Sequence, residues 1–262
     1  MTKHERLAAM LAMLAERGSL EVDAAATTLG VSVATVRRDL DLLADQQLLS
    51  RTHGGAVAIG SALDLPHRHR RDDRVAGAKQ RIARAATGMV QRGTVLGLNG
   101  GTTTTEVARA LMQQPAYVQR DPWPALTIVT NAVNIATELT VRDQFKTVVT
   151  GGVARRLSYE LTGPFAGAVL EEVLLDIAFI GVEGLDPRMG AAAAHEDEAV
   201  VNRLLAERAK RVVVVATAEK FGASAFARIC PPERIDAIIT DRQPAAEYVR
   251  GFAEHGVEII VA

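Results

Sequence analysis

The chain has 262 residues, enough for two folded domains, and 48% of them are hydrophobic, which suffices to fill two cores. Its formal net charge of −1 excludes a protein that is basic over its whole surface. A single cysteine, Cys230, excludes an internal disulfide framework, and no apolar run reaches membrane-spanning length. Together with the absence of a signal-peptide pattern, these features predict a cytoplasmic protein without a membrane partner.

The first part of the chain predicts a helix-turn-helix. A second helix near Val22–Leu29 ends at Gly30, where a left-handed C-cap favours glycine. Ser32 then stands where the N-cap of a third helix belongs. That third helix is predicted by apolar residues spaced i, i+4 and i+7, namely Val36, Leu40 and Leu43.

The polar side of the third helix predicts a DNA-binding surface. Arg37 and Arg38 suit phosphate contact or bidentate reading of guanine, although an arginine pair can also be a solvated face. Residues 46–57 predict a hairpin wing that places Arg51 and His53 near DNA, with a structural turn role open for His53. The candidate DNA contacts are Ser32, Ala34, Thr35, Arg37, Arg38, Arg51 and His53.

Charge is distributed unevenly around this module. Acidic residues offset the arginines in the first sixty positions, so electrostatic affinity for DNA must come from local clusters or from oligomerisation. The segment 66–74 is strongly basic and reads as part of a linker. We therefore predict a DNA-binding domain at 1–58, a basic linker at 59–76 and a second domain at 77–262.

The second domain predicts an α/β fold. An amphipathic helix at Lys79–Val90 precedes apolar, β-branched runs that alternate with helical stretches. Such runs are typical of a parallel sheet that is covered on both faces, and its ligands bind beyond the carboxyl ends of the strands. The predicted strands are Thr94–Leu98, Leu126–Thr130, Phe145–Thr150, Ile177–Gly181, Arg211–Ala216, Ala237–Thr240 and Val257–Val261.

The loops after these strands carry polar groups suited to an anion. The first reads Asn-Gly-Gly-Thr-Thr-Thr-Thr from Asn99, where glycines admit backbone amides, threonines offer hydroxyls, and a helix begins. It lacks the Gly-Lys-Ser/Thr ending of a P-loop and the GxGxxG fingerprint of a dinucleotide site. A tight turn before a capped helix is the alternative reading. We expect no cofactor.

The run from Glu5 to Val57, with its VRRDL and RTHGGAV segments, resembles the winged helix-turn-helix of the DeoR family of bacterial regulators. The segments GGTTT, VTNA, VTGG, FIGVEGLD, ATAEKFG, FARI and ITD resemble its effector domain, which is similar in fold to ribose-5-phosphate isomerase.

The resemblance implies a two-domain α/β protein with a Rossmann-like second domain. It also implies a repressor of a sugar-utilisation operon that binds operator DNA and a phosphorylated sugar, and that needs at least a dimer. The wording of GGTTTTEVA and TGGVARRLSYEL is closer to the amino-sugar and hexitol branch, while Asn99-Gly100-Gly101 departs from the usual Asp-Ser-Gly. The candidate effector-binding residues are Asn99, Gly100, Gly101, Thr102, Thr103, Thr104, Asn131, Gly152, Arg155, Glu183, Asp186, Glu196 and Lys220.

Two other functions are compatible with parts of this sequence. A sugar-phosphate isomerase needs a base, and Glu183, Asp186 and Glu196 supply carboxylates, but residues 188–194 lack the lysine that the isomerases carry there. The histidines do not cluster at metal-ligand spacing, so neither a catalytic nor a metal site is predicted. The second domain could instead serve only oligomerisation, but such a domain would not need Gly-Thr loops at its strand ends.

Overall fold

The computed structural model describes residues 2–17, 19–45, 49–52, 54–58, 73–117 and 123–262. The chain forms two compact units, Met1–Asp64 and Leu65–Ala262. The predicted linker at 59–76 falls largely outside the described residues, and so does His53. In the part of the chain that is described, no helix combines the length and apolarity needed to cross a membrane.

The first unit is a winged helix-turn-helix. A small antiparallel sheet in the order β1-β3-β2 packs beside three helices. Its elements are α1 Lys3–Arg17, β1 Ser19–Glu21, α2 Val22–Leu29, α3 Val33–Asp45, β2 Leu49–Arg51 and β3 Gly55–Ala58. The first strand was not predicted, because three residues are too few for an alternating pattern and their pairing with β3 decides their conformation.

The predicted turn between α2 and α3 is confirmed. Gly30 adopts φ 63° and ψ 35°, the left-handed conformation that costs glycine little. The backbone N–H of Thr35 donates to Ser32 Oγ at 3.2 Å, which caps the start of α3. The predicted apolar stripe of α3 is buried, with at most 1% exposure for Val36, Leu40 and Leu43.

The second unit is built on a seven-stranded, wholly parallel sheet. Each of the seven predicted strands is present, with ends shifted by no more than two residues. The strands are β4 Val95–Leu98, β5 Leu126–Thr130, β6 Phe145–Val149, β9 Leu175–Ile180, β12 Ala209–Val215, β14 Ala237–Thr240 and β15 Glu258–Val261. Smaller antiparallel strands are β7 Val153–Ala154, β8 Leu161–Thr162, β10 Gly184–Asp186, β11 Gly190–Ala193 and β13 Ala227–Cys230.

Helices cover both faces of this sheet. Successive strand residues alternate between two cores: Ile177 and Phe179 pack on one face, Ala178 and Ile180 on the other. The helices are α4 Asp73–Thr87, α5 Thr102–Met112, α6 Val133–Thr140, α7 Pro164–Glu171, α8 Glu196–Arg208 and α9 Ala246–Ala253. The helix α4 begins six residues before the predicted Lys79–Val90. It also ends three residues earlier, because the chain turns at Gly88 and Met89.

The strand order β15-β14-β12-β9-β4-β5-β6 fixes where a ligand can bind. The chain moves outward from β4 to β6, then returns to the other side of β4 with β9 and moves outward in the opposite direction. In open α/β sheets a crevice forms beyond the carboxyl ends of the strands at such a reversal, which here lies between β4 and β9. The loops after these two strands carry the predicted effector residues from Asn99 to Thr104 and Glu183, while the others follow neighbouring strands or, in the case of Glu196, begin α8.

Candidate functional site

The outer side of α3 presents two exposed arginines. Arg37 and Arg38 are exposed, and neither forms an ion pair or hydrogen bond with another described residue. Ala34 is exposed beside them, and Thr35 is half-buried with its hydroxyl 2.8 Å from that of Ser32. Arg37 and Arg38 therefore remain available to a polyanion.

Acidic residues near this surface are engaged within the unit. Asp39 is buried against Arg6, and Asp41 pairs with Arg51 at 2.9 Å. Arg51 also donates to the carbonyl oxygen of Gly55 at 2.9 Å, so it ties the wing to α3. The acidic residues that offset the arginines in the sequence therefore do not cancel the charge of this surface. Asp39 and Asp41 are paired with Arg6 and Arg51, while Arg37 and Arg38 have no such partner among the described residues.

The crevice in the second unit is closed at its base by Asn99. Its Nδ2 donates to the carbonyl of Gly181 at 3.0 Å, and its Oδ1 accepts the Gly181 N–H at 2.8 Å. Asn99 is 2% exposed. This predicted effector residue therefore joins the ends of β4 and β9, with its amide group already satisfied.

The Gly-Thr loop leads into the N-terminus of α5. Gly101 adopts φ 121°, a conformation that strongly favours glycine, and provides the N-cap without a side chain. The hydroxyls of Thr104 and Thr105 donate to the carbonyl of Gly101 at 3.0 and 2.7 Å. Thr102 and Thr103 are half-buried, and within the described chain their hydroxyls have no partner. The first amides of α5 and these two hydroxyls are hydrogen-bond donors of the kind that bind anions at helix N-termini.

Glu160, which was not predicted, lies against the first glycine of this loop. Gly100 donates its backbone N–H to the Glu160 carboxylate, and a Cβ at Gly100 would lie 2.3 Å from Glu160 Cγ. Only glycine at position 100 permits this approach. Burial raises the pKa of Glu160 to about 8, with further contributions from the charges of Glu198 and Glu183.

A chain of side-chain amides connects Glu160 with the end of β5. Asn202 Nδ2 donates to Glu160 Oε2 at 3.3 Å, and Asn131 Nδ2 donates to Asn202 Oδ1 at 3.3 Å. Asn131 is fully buried, and its Oδ1 has no hydrogen-bond partner among the residues that the structure describes. The structure therefore places the predicted residue Asn131 in contact with Asn202, which in turn contacts Glu160.

Arg155, predicted to clamp an anion, is instead engaged by acids. Its guanidinium contacts Asp197 at 2.6 Å and Glu198 at 2.9 Å. The hydrogen bond to Asp197 is the main cause that raises the pKa of Arg155. Gly152 adopts φ 122°, and a Cβ there would lie 2.6 Å from the carbonyl oxygen of Thr162. Gly152 thus permits the close packing of β7 and β8 that positions Arg155.

Two lysines stand near the Gly-Thr helix. Lys220 lies in the short 3-10 helix Ala218–Lys220 and interacts electrostatically with Glu183 and with Lys79. Lys79, in α4, is 8% exposed and forms no ion pair with the residues that are described. Burial lowers the pKa of Lys79, Lys220 lowers it further, and Glu219 and Glu106 oppose this shift. An additional anion would therefore be stabilised here.

Glu183 joins this polar cluster, whereas two other predicted acids do not. Although part of Glu183 faces solvent, loss of hydration raises the pKa of its carboxyl, as does the charge of Glu198. Asp186 accepts the N–H groups of Arg188 and Met189 and so closes the turn between β10 and β11. Glu196 is exposed at the first residue of α8.

The residues that sequence reasoning missed are Lys79, Glu160, Glu198 and Asn202. The burial of Lys79 could have been predicted from the sequence. It precedes Ile82 by three residues and Ala86 by seven, so it lies on the apolar side of the predicted helix. The others reach the site only through non-local packing. In the described residues, no group of three His, Cys, Asp or Glu side chains is arranged to hold a metal ion.

Comparison with known sequences gives matches over nearly the whole chain. Residues 6–62 match the DeoR-like helix-turn-helix domain, and residues 75–242 match the DeoR C terminal sensor domain. The chain is 32% identical to a putative aga operon transcriptional repressor of Escherichia coli O157:H7, covering 98% of this chain and 93% of that protein. It is also 32% identical to the HTH-type transcriptional regulator GlpR of Haloferax volcanii, over 98% and 96%.

A further relative is the glycerol-3-phosphate regulon repressor of Escherichia coli strain K12, 27% identical over 99% of both chains. Among solved structures, ribose 5-phosphate isomerase A of Neisseria gonorrhoeae aligns with a TM-score of 0.39 and 16% identity, over 55% of this chain and 52% of that one. The tetrameric eIF2B-beta2-delta2 complex from C. thermophilum aligns with a TM-score of 0.44 and 15% identity, over 70% of this chain and 62% of that one. The family assignment rests on the sequence matches.

Proposed function

This chain belongs to the DeoR family of transcriptional regulators, and we propose that it represses a sugar-catabolic operon, of the amino-sugar or hexitol type, until a phosphorylated sugar binds. It is a regulator rather than an enzyme, because its relatives are named as transcriptional regulators. Relatives named as repressors of the aga operon and of the glycerol-3-phosphate regulon support repression as the direction of control. Operator binding also supports a cytoplasmic location.

The outer surface of α3 supports DNA binding by residues 1–58. Arg37 and Arg38 are exposed on the helix that follows the capped turn, as a recognition helix requires. Arg51 and Ser32 hold the wing and the helix start in place. We infer that Arg37 and Arg38 make the principal contacts, with Ala34 and Thr35 beside them and His53 at the wing.

We propose that residues 77–262 bind the effector, and that its phosphate group binds at the N-terminus of α5. Helix amides, the hydroxyls of Thr102 and Thr103, and the ammonium groups of Lys79 and Lys220 provide donors and positive charge for one phosphate group. The single most informative observation is the buried Lys79, which lacks an acidic partner within 4 Å among the described residues. An effector phosphate would supply that partner.

Control of DNA binding then follows from linkage. An effector weakens operator binding only if it binds the DNA-competent state less tightly than the other state. We propose a homo-oligomer, a dimer or tetramer, because paired recognition helices must meet successive major grooves. No cofactor is needed in this mechanism.

A thermal-shift and operator-binding experiment tests this function. Purified protein is mixed with phosphorylated sugars and, as matched controls, with their unphosphorylated parents. A phosphosugar at a hundredfold excess over its Kd should stabilise the protein by about 2.7 kcal/mol and release a labelled operator fragment, whereas its parent should do neither. If no phosphosugar shifts the melting temperature, the proposal fails, and the second domain either serves oligomerisation or binds an effector of another chemistry.

A further inference from the structure

The helix α7 is apolar on its outer side as well as on its inner side. From Pro164 to Leu170 it contains no polar side chain. Ala166 and Leu170 are buried in the core, whereas Phe165 is 71% exposed and Ala168 is exposed as well. A helix that is apolar on all sides is normally covered on all sides, so the outer side of α7 is suited to a partner.

The neighbouring hairpin of β7 and β8 extends this apolar side. Val153 in β7 is exposed and pairs with Thr162, two residues before α7 begins. Gly151 also lies close to the start of α7, because a Cβ at Gly151 would be 3.9 Å from the carbonyl oxygen of Phe165. Single exposed apolar side chains are common in monomers, but a group of them marks an interaction surface. We call Val153, Phe165 and Ala168 the α7 surface.

The charges of α7 are placed unfavourably for a helix on its own. The helix dipole favours acidic residues at the N-terminal end and basic residues at the C-terminal end. The first turn of α7 has no acidic residue, its N-cap Gly163 has no side chain, and its last turn has no basic residue. Glu172 instead stands exposed at the C-terminal end, without an ion pair to any described residue. It follows Phe165 by seven positions and Ala168 by four, so it lies on the same side of the helix.

A second copy of this chain supplies what both ends of α7 lack. In a pair related by a two-fold axis the same surface contacts itself, and a helix crossed by a perpendicular axis runs antiparallel to its copy. Glu172 of each copy would then lie beside the N-terminal amides of the other α7, where a negative charge is stabilised. Phe165 and Val153 would be removed from water in the same contact. The charge pattern of this side of α7 is therefore complementary to itself.

We propose that the α7 surface is the contact between two copies of this chain in solution, with the two α7 helices antiparallel across a two-fold axis near Ala168. The inference rests on the proposed function, in which the chain acts as a homo-oligomer, and it names the face that two subunits share. Ala168 is the exposed residue closest to the middle of α7, and its small side chain allows the two helices to pack closely.

Disulfide cross-linking of the full chain tests the contact directly. Ala168→Cys should form a disulfide-linked dimer when it is oxidised with copper phenanthroline, because the axis places the two new thiols opposite one another. Ala246→Cys, at an exposed alanine at the start of α9, is the matched control and should run as a monomer on a non-reducing gel. The natural thiol of Cys230 is buried, and burial raises its pKa to about 11, so it does not contribute to cross-linking.

A substitution in the same surface tests its contribution to affinity. Phe165→Glu places a charge in the contact, so the dissociation constant of the contact should rise about tenfold or more. Sedimentation velocity should then show the assembly separated into halves at concentrations where wild type stays whole. Phe226→Glu, at an 80% exposed position just before β13, is the matched control and should keep the wild-type mass. Phe165→Glu should also keep the phosphosugar-induced rise in melting temperature, since α7 lies outside the proposed effector site.

The possible outcomes separate this contact from the proposed function. Cross-linking of Ala168→Cys but not of Ala246→Cys, together with a separated Phe165→Glu assembly, would support the contact. Absence of a cross-link in Ala168→Cys, equal cross-linking of both cysteine variants, or a wild-type mass for Phe165→Glu at every concentration would overturn it and leave the homo-oligomer standing. A wild-type protein that sediments as a monomer, both free and on an intact operator, would overturn the homo-oligomer as well, and the α7 surface would then belong to a different protein partner.

Discussion

At the scale of single residues, burial decides what the polar groups of the crevice can do. Arg155, Asn99 and Asp186 looked equivalent to other polar residues in the sequence, but each is satisfied by partners within the protein. Glu160 and Lys79 are buried without an opposite charge in contact among the described residues. Buried ionisable groups of this kind are candidates for function, since their environment penalises the charged form until a ligand compensates it.

Glu160 should make stability fall as pH rises. Its pKa is about 8 in the folded protein and near 4.5 when unfolded, so the folded state binds more protons between these values. The free energy of unfolding therefore decreases from pH 5 to pH 8. In Glu160→Gln this loss is absent, and the stability gap between variant and wild type should change by more than about 1.4 kcal/mol, the value of one pKa unit.

Thermal melts at several pH values measure this gap without ligand. Glu171→Gln, at an exposed position of α7, serves as the control and should follow the wild-type pH profile. Parallel profiles for wild type and Glu160→Gln would contradict the buried, proton-retaining state of Glu160.

Lys79→Met should stabilise the free protein and abolish its response. Burial lowers the pKa of Lys79, which means that its charged form is penalised in the folded state, so methionine removes that cost. The same change removes a cation from the phosphate subsite, and effector affinity should fall by about tenfold or more. Melting temperature and effector-induced release of operator are the two measurements.

Lys146→Met, at an exposed position on β6, removes the same charge outside the crevice. We expect it to keep the wild-type response. Normal release of operator from the Lys79→Met protein would remove Lys79 from the proposed site.

Arg38→Ala should weaken operator binding and leave effector binding intact. The side chain is exposed and unpaired among the described residues, so its loss removes a DNA contact rather than a structural one. A phosphate contact would reduce the slope of log affinity against log salt by about 1, while a base contact would cost about 1–3 kcal/mol. Fluorescence anisotropy across a salt series distinguishes the two, with exposed Lys3→Ala as the control. Loss of effector binding as well would contradict two separable modules.

At the scale of elements, residues at the helix ends determine where α3 and α5 begin. The turn between α2 and α3 fixes the start of the recognition helix through Gly30 and Ser32. The N-terminus of α5 uses a glycine N-cap, which leaves its first amides open toward the crevice. Both ends could be located in the sequence, because caps and glycines act within a few residues.

Gly30→Ala should destabilise the first unit. No atom would contact the new Cβ, so the cost is conformational: a φ of 63° is unfavourable for alanine by about 1–2 kcal/mol. Gly54→Ala is the matched control in the same unit, since Gly54 has neither a positive φ nor a neighbour within 4 Å of the new Cβ. Denaturant unfolding compares the two variants. Equal denaturation midpoints would contradict a conformational cost at position 30.

At the scale of the whole molecule, the topology of the parallel sheet determines where the proposed effector site lies. The strand order reverses between β4 and β9, and Asn99 joins the ends of these two strands through its hydrogen bonds with Gly181. The proposed partner DNA imposes a second requirement, two recognition helices in one assembly.

We therefore expect a mass of at least two 28.0 kDa chains in solution. Sedimentation velocity measures it, and the operator should lose affinity steeply when one half-site is scrambled, because the two half-sites are bound by linked subunits. A protein that remains monomeric when bound to an intact operator would contradict the paired-helix requirement.

The sequence by itself determined the elements and their order. Apolar spacing in α3, the glycine and serine at its turn, and seven buried strands all follow from interactions between residues close in the chain. The family resemblance carried by segments such as VRRDL and GGTTT was confirmed by the matches to both domains. The Gly-Thr loop was likewise placed correctly at the end of the first parallel strand.

Only the tertiary structure decided which polar groups have partners. Glu160 reaches Gly100 across sixty positions of sequence, Arg155 in the loop after β7 meets Asp197 and Glu198 on α8, and Lys79 lies near Lys220. The pairing of β1 with β3 is equally non-local. Local patterns report periodicity and caps, whereas the charge and hydration of a side chain depend on distant segments that packing brings beside it.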